Sequence, residues 1–104
     1  MDSTTLVQRI RSVLTAAYGQ RLKGVVLYGS FARGDANVES DVDVLVLLDE
    51  VADYGKDLRT NIQVLYPLAT ELGRRISAKP VSEEDYRAAA CPLYRNARRE
   101  GIAA

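Results

Sequence analysis

One strand with apolar side chains on both faces constrains the fold of this chain most. From Asp41 to Leu48, valine and leucine fill both alternating sets of positions, and only Asp41 and Asp43 interrupt them. A strand of this kind has to be covered on both sides. A carboxylate between Val42 and Val44 would be costly to desolvate without a compensating partner. We therefore expect a central strand that presents two carboxylates at one end of a sheet.

Helices and strands alternate around this strand. Apolar residues at helical spacing predict a first helix that ends at Gly19 and a second that ends at Gly73, with a kink or break at Pro67. The other predicted elements are strands at Arg21 to Tyr28 and Arg74 to Ala78, the latter stopped by Pro80, and short helices from Phe31, Ser82 and Leu93. This order predicts an α/β (α+β) fold of two or three layers, with helices packed on a short sheet of about three strands.

Composition limits the remaining choices. The chain has 104 residues, of which 47% are hydrophobic, so a single domain over residues 1–104 is expected. Fourteen basic and fourteen acidic residues cancel, which gives no global signal for nucleic acid or membrane. Histidine is absent, so carboxylates must do any metal binding. The polar N-terminus and the lack of an apolar run near ~18 residues predict neither signal peptide nor membrane span, and therefore a cytoplasmic protein.

A glycine and a serine precede the acidic pair. Gly29-Ser30 follows an apolar strand and opens a short helix, a type of turn that binds phosphates. Gly29 lets the backbone approach an anion closely, and Ser30 adds a hydroxyl. Arg33 lies one helical turn further on, where it either reaches a phosphate or lies in solvent.

The two aspartates are two residues apart in a strand and so face the same side. Their Cα atoms would be roughly 6.6 Å apart, which suits either one Mg²⁺ or a pair of ions. Acidic pairs at strand starts also cap turns or lie in solvent, but Asp43 within an apolar strand speaks against that reading. Metal-dependent glycosyltransferases share the Asp-x-Asp pattern, yet they need a nucleotide-sugar domain that exceeds this length.

The segments from Gly29 to Asp35 and from Ser40 to Val46, with ten residues between Ser30 and Asp41, resemble the signature of minimal nucleotidyltransferases of the DNA polymerase beta superfamily. The resemblance implies that Gly29 and Ser30 hold the triphosphate of ATP while Asp41 and Asp43 bind Mg²⁺. Such domains are found as antitoxins paired with HEPN-domain ribonuclease toxins. The implied reaction is transfer of AMP to a tyrosine of the toxin, without a membrane and without direct binding of nucleic acid.

The chain departs from the family pattern at one position. The superfamily normally supplies a third carboxylate from the next strand, and the corresponding position here falls at about Ser77. Strand alternation places Arg75, Ser77 and Lys79 on one face, which is basic where the family is acidic. Glu83 and Glu84 lie beyond Pro80 and could substitute only if the loop folded back.

Two functions follow. The first is an active adenylyltransferase, which the intact Gly-Ser and Asp-x-Asp elements favour. The second is an antitoxin that neutralises its toxin by binding alone, which the missing acid favours; its contact surface would be the basic tail with Leu93, Tyr94, Arg95, Arg98 and Ile102. Either function is compatible with a hetero-oligomer of this chain and the toxin or with a homo-oligomer of this chain. A stand-alone enzyme for a small molecule is disfavoured, because a minimal domain has no second domain to enclose a substrate.

Overall fold

The computed structural model describes residues 1–104, and four strands and five helices form the fold. The strands are β1 (Leu22–Tyr28), β2 (Val42–Leu48), β3 (Ile76–Ser82) and β4 (Ile102–Ala103). The helices are α1 (Ser3–Tyr18), α2 (Ser30–Arg33), α3 (Tyr54–Leu72), α4 (Glu83–Arg87) and α5 (Pro92–Glu100). None of these helices is both long and apolar enough to cross a membrane.

The strands form one mixed sheet in the order β3-β2-β1-β4. Strand β1 runs antiparallel to β2 and β4, whereas β2 and β3 run parallel. The predicted sheet of about three strands thus gains β4, in which Ile102 pairs with Leu27. Gly101 permits this pairing, because a Cβ atom there would collide with the carbonyl oxygen of Ala97 and lie 2.6 Å from Cγ1 of Val26. Ile102 therefore belongs to the sheet rather than to a free tail.

Helices cover both faces of β2, which makes the fold a three-layer sandwich. On one face, Val42, Val44, Val46 and Leu48 pack with the buried residues of α1 and α3. On the other face, Leu45 and Leu47 pack with Val81 and with side chains of α4 and α5, namely Tyr86, Leu93, Tyr94 and Ala97. The side chains of Leu93 and Tyr94 are therefore partly buried against the core, and the contact surface expected in the basic tail stays a prediction. Asp43 continues the row of Leu45 and Leu47 towards the start of β2.

Two proline predictions need correction. Helix α3 runs through Pro67 without a break. Pro67 and Gln63 are both exposed, so water can reach the carbonyl that loses its amide partner. Strand β3 likewise runs through Pro80 to Ser82 instead of ending at Ala78. Because β3 is an edge strand, one of its sides needs no hydrogen-bond donor, and proline is tolerated there.

A buried polar network fixes α3 against the sheet. Both terminal nitrogens of Arg21 donate to the carboxylate of Asp57, at 3.2 and 3.1 Å. The Asp57 side chain is only 5% exposed. Asn61, which is fully buried, donates from Nδ2 to the carbonyl of Ala78 at 3.0 Å. Asp57 therefore has a structural partner, unlike Asp43.

Candidate active site

Asp41 and Asp43 lie together where β2 begins. The amide of Val42, between them, donates to the carbonyl of Arg75 at 2.9 Å, so pairing with β3 starts at this point. Asp43 is partly buried. Its carboxyl pKa is raised from 3.8, first by burial and then by the negative charge of Asp41. The two carboxylates are thus close enough to influence each other, as their spacing along a strand predicts.

Tyr28 and Ser77 flank Asp43 in the sheet. Tyr28 is its register partner on β1, and Ser77 is its register partner on β3. Burial, followed by the negative charge of Asp43, raises the pKa of Tyr28 to about 12. The phenol is therefore protonated and neutral at physiological pH. Neither Tyr28 nor Ser77 therefore places a charged group beside the Asp43 carboxylate.

Gly29 connects the Gly29-Ser30 turn to the acidic pair. Its φ is +75° and its ψ is −155°, a region that is essentially restricted to glycine. A Cβ atom on Gly29 would lie 2.5 Å from Oδ2 of Asp43. The glycine therefore provides the space that the Asp43 carboxylate occupies, in addition to the close approach that the sequence predicts for an anion.

Ser30 and Arg33 are the first and last residues of α2, which ends at Gly34 in the left-handed conformation. Arg33 pairs with Asp35 at 3.3 Å and with Glu100 of α5 at 3.9 Å. Its positive charge also lowers the pKa of Asp43, against the larger effects of burial and of Asp41. Arg33 thus lies beside the acidic pair, while its guanidinium contacts other carboxylates.

Basic residues occupy the β3 side of the site. Arg75 donates from a terminal nitrogen to Oδ2 of Asp41 at 2.8 Å. Lys79 lies two residues beyond Ser77 on the same strand face and is exposed. No group of three or more histidine, cysteine, aspartate or glutamate side chains is positioned to hold a metal ion. Glu83 begins α4 after the other end of β3 and pairs with Arg87, so it does not replace the missing acid.

Arg74 is a site residue that sequence reasoning missed. Its guanidinium donates to the carbonyl of Asn37 at 2.6 Å and to that of Ser40 at 2.9 Å. The same group lies over the ring of Phe31, 4.9 Å from its centroid. Arg74 therefore ties the loop before Asp41 to α2 and to the start of β3. The only signal in the sequence is the Arg74-Arg75 doublet just before a strand, which does not specify these contacts.

The donor set fits one Mg²⁺. Carboxylate oxygens are the ligands that this ion prefers. Asp43 is partly buried, yet it takes part in no ion pair with the protein. A bound cation would offset the cost of its burial. Asp41 would have to exchange Arg75 for the ion, which an exposed pair permits at little cost.

An open groove of about 650 Å³ lies between α3 and β3. Its apolar wall consists of α3 side chains that include Leu58, Ile62, Leu65 and Tyr66. Ile62 is 55% exposed and Tyr66 is 68% exposed, which is unusual for side chains of this size. Arg75 and Ser77 of the β3 edge also line the groove, which lies on the face of the sheet that α3 covers, opposite to the face of Asp43.

Comparison with known proteins assigns this chain to a family. The profile of the nucleotidyltransferase domain matches residues 7–91. Two proteins of Methanocaldococcus jannaschii, provisionally named protein adenylyltransferases MJ0604 and MJ0141, are 36% identical over 66 residues and 37% identical over 51 residues. The matched regions cover 64% and 49% of this chain, and they span 66% and 52% of the lengths of those two proteins.

Solved structures agree with the profile. A structure described provisionally as a minimal nucleotidyltransferase is 33% identical, with a TM-score of 0.56 and coverage of 98% of this chain and 95% of the other. The crystal structure of a toxin-antitoxin with AMP-PNP shares the fold, with a TM-score of 0.62 at 21% identity and coverage of 92% and 70%. The Gly-Ser turn, the acidic pair and these matches together show that the chain belongs to the nucleotidyltransferase domain family, among the minimal nucleotidyltransferases.

Proposed function

We propose that this domain transfers AMP from ATP to a hydroxyl of a partner protein in the cytoplasm. The observation that carries the proposal is the position of Asp41 and Asp43 beside the Gly29-Ser30 turn. The names of the two M. jannaschii relatives support protein adenylylation. The toxin-antitoxin that crystallised with AMP-PNP supports a nucleotide substrate and a toxin partner. The acceptor that we propose is a tyrosine of a HEPN ribonuclease toxin, which makes this chain its antitoxin.

The reaction is an in-line displacement at the α-phosphorus of ATP. A bond forms between the acceptor oxygen and phosphorus, the bond to the bridging oxygen breaks so that pyrophosphate leaves, and the hydroxyl proton of the acceptor passes to water. Asp41 and Asp43 would hold Mg²⁺, and a bound ion would supply positive charge against the negative charge that develops on the phosphates. The Gly29-Ser30 turn would bind the triphosphate. Arg33 would exchange Asp35 and Glu100 for a phosphate, which provides a better charge-assisted partner.

The groove between α3 and β3 supports a protein as the partner. Exposed Ile62 and Tyr66 offer apolar contact area, and the outer edge of β3 has no strand beside it. A second copy of this chain fits this edge poorly. An antiparallel pairing of two β3 strands centred on Ser77 would set Arg75 opposite Lys79, and like charges in that position are destabilising. A different protein, with apolar anchors flanked by carboxylates, complements the groove better.

The test is a labelling experiment with the product of the adjacent gene. With α-labelled ATP and Mg²⁺, we expect label on that protein, and the Asp43→Asn variant should transfer none. The Asp49→Asn variant serves as a control, because Asp49 is exposed and pairs with Arg21 beyond the other end of β2. Absence of transfer with every divalent metal tried would count strongly against the proposal.

Ser77 in place of the third carboxylate favours a second function, neutralisation of the toxin by binding alone. The aspartate variants separate the two functions. If Asp41→Asn and Asp43→Asn still neutralise a co-expressed toxin fully, binding is sufficient. If both variants fail while they still bind the toxin, neutralisation depends on transfer.

A further inference from the structure

The register of β2 and β3 defines what faces the acidic pair. Asp43 pairs with Ser77 in the parallel ladder, so a hydroxyl lies where a carboxylate from β3 would be its direct neighbour. Side chains paired in this way project from the same face of a sheet. Lys79, two residues along β3, is then the diagonal neighbour of Asp43. The β3 side of the site thus offers a neutral ligand at best, and next to it a cation.

The charged side chains around Asp41 and Asp43 agree with this register of β2 and β3. Arg75 contacts Asp41 directly, at 2.8 Å. Lys79 lies diagonally from Asp43 in the strand register, and Arg33 ends the short helix that begins at the Gly29-Ser30 turn. Two carboxylates therefore face three cations. Two divalent ions about 3.5 to 4 Å apart would repel each other strongly and would need a further anionic ligand to share between them.

We propose that this site binds a single divalent cation, through Asp41 and Asp43, and that Lys79 provides the positive charge on the β3 side in place of a second ion. The inference rests on the proposed function for the identity of the site. It adds the number of ions and a role for Lys79 as a nucleotide-binding residue beside the phosphates. One carboxylate pair and one lysine are sufficient for one ion and a triphosphate, because the phosphate oxygens complete the coordination of the ion.

Mn²⁺ provides a readout that does not depend on activity. Electron paramagnetic resonance of the protein with Mn²⁺ and AMP-PNP should show an uncoupled ion, since only a pair at close range gives an exchange-coupled spectrum. Ser77→Asp restores a shared anionic ligand and should produce the coupled pair. Ser77→Asn is the matched control of similar size and should remain uncoupled. Adding Lys79→Met to Ser77→Asp should strengthen binding of the second Mn²⁺ roughly tenfold, because it removes a nearby positive charge.

A second measurement does not need Ser77→Asp to fold. Lys79→Met alone should weaken the binding of AMP-PNP several-fold at saturating Mn²⁺, whereas Lys23→Met, an exposed lysine elsewhere in the sheet, should leave it unchanged. An exchange-coupled spectrum from the unaltered protein, an uncoupled spectrum from folded Ser77→Asp, or unchanged affinity in Lys79→Met would overturn the inference. If Asp43→Asn retained the bound Mn²⁺, the proposed site itself would fail. Loss of Mn²⁺ in Asp43→Asn together with a coupled wild-type spectrum would refute only the single-ion inference.

Discussion

Gly29 and Asp43 lie so close together that any side chain on the glycine would collide with the carboxylate. The Cβ position of Gly29 is 2.5 Å from Oδ2 of Asp43, although the two residues are separated by a helix and a loop. The turn proposed to bind phosphates and an aspartate proposed to bind the metal are thus one packed unit. Both halves of the sequence motif depend on this contact.

Replacing Gly29 with alanine should damage the site more than the fold. We expect a loss of unfolding free energy of about 2 kcal/mol or more, from backbone strain and the collision, together with loss of Mn²⁺ binding as Asp43 is displaced. Gly34→Ala is the matched control, because Gly34 also has a positive φ but nothing lies within 4 Å of its Cβ position. Gly34→Ala should lose about 1 to 2 kcal/mol of unfolding free energy and bind Mn²⁺ normally. Urea denaturation and Mn²⁺ titration measure both effects, and equal loss of Mn²⁺ in the two variants would contradict the prediction.

Asp43 should make the metal-free protein less stable as the pH rises. Burial, and then the charge of Asp41, raise its folded-state pKa above 3.8, so the folded state holds this proton more tightly than the unfolded state does. The resulting stability is fully present below the unfolded pKa and is lost as the pH rises through the folded pKa. Asp43→Asn carries no charge, so in EDTA its stability relative to the wild type should increase over that window. Urea denaturation at a series of pH values checks this.

Adding Mg²⁺ at neutral pH should reverse this order of stability, so that the wild type becomes more stable than Asp43→Asn. The wild type gains stability from a bound ion by mass action, whereas Asp43→Asn gains none. Asp57→Asn provides the contrast, since Asp57 is buried against Arg21 at the other end of the sheet. Asp57→Asn should lose about 1 to 3 kcal/mol of unfolding free energy, and Mg²⁺ should still stabilise it as it stabilises the wild type. A Mg²⁺ response in Asp43→Asn equal to that of the wild type would remove Asp43 from the metal site.

Arg74→Ala should loosen the loop that carries the chain from α2 to Asp41. The variant loses two hydrogen bonds, to the carbonyls of Asn37 and Ser40, and the contact with Phe31. We expect a stability loss of about 1 to 2 kcal/mol, faster proteolysis between residues 35 and 41, and weaker Mn²⁺ binding. Arg59→Ala, on the exposed side of α3, should change none of these. Limited proteolysis followed by mass spectrometry locates the cleavage, and a loop that stays resistant would contradict the assigned role.

Ile62→Asp should weaken binding of the partner protein at least tenfold while leaving the fold intact. Ile62 is 55% exposed in the groove beside β3, so a charge there costs the isolated domain little. Burying that charge against a partner would be costly. Gln63→Asp introduces the same charge at the next position of α3, outside the groove, and should bind normally. Calorimetry with the product of the adjacent gene compares the two variants, and equal affinities would exclude the groove as the contact surface.

Local sequence patterns determined much of the fold and of the candidate site of this protein. The alternation around Asp41 and Asp43 specified a strand covered on both faces, because a strand buried on both sides needs apolar residues at odd and even positions alike. Helical spacing specified α1 and α3, and the Gly-Ser turn and its distance from the acids specified the family. These features are encoded within short windows, so they can be read without knowledge of the fold.

Only the tertiary structure decided what each residue meets across the sheet. Pro80 is tolerated because β3 became an edge strand, and Ile102 joined a fourth strand because Gly101 fits against Val26 and Ala97. The register places Ser77 and Lys79 beside Asp43, and the fold brings Arg74 to the loop before Asp41. Such contacts join residues that are distant in the chain, and their geometry depends on how whole elements pack. The sequence therefore determined where the acids lie, while packing decided which charges surround them.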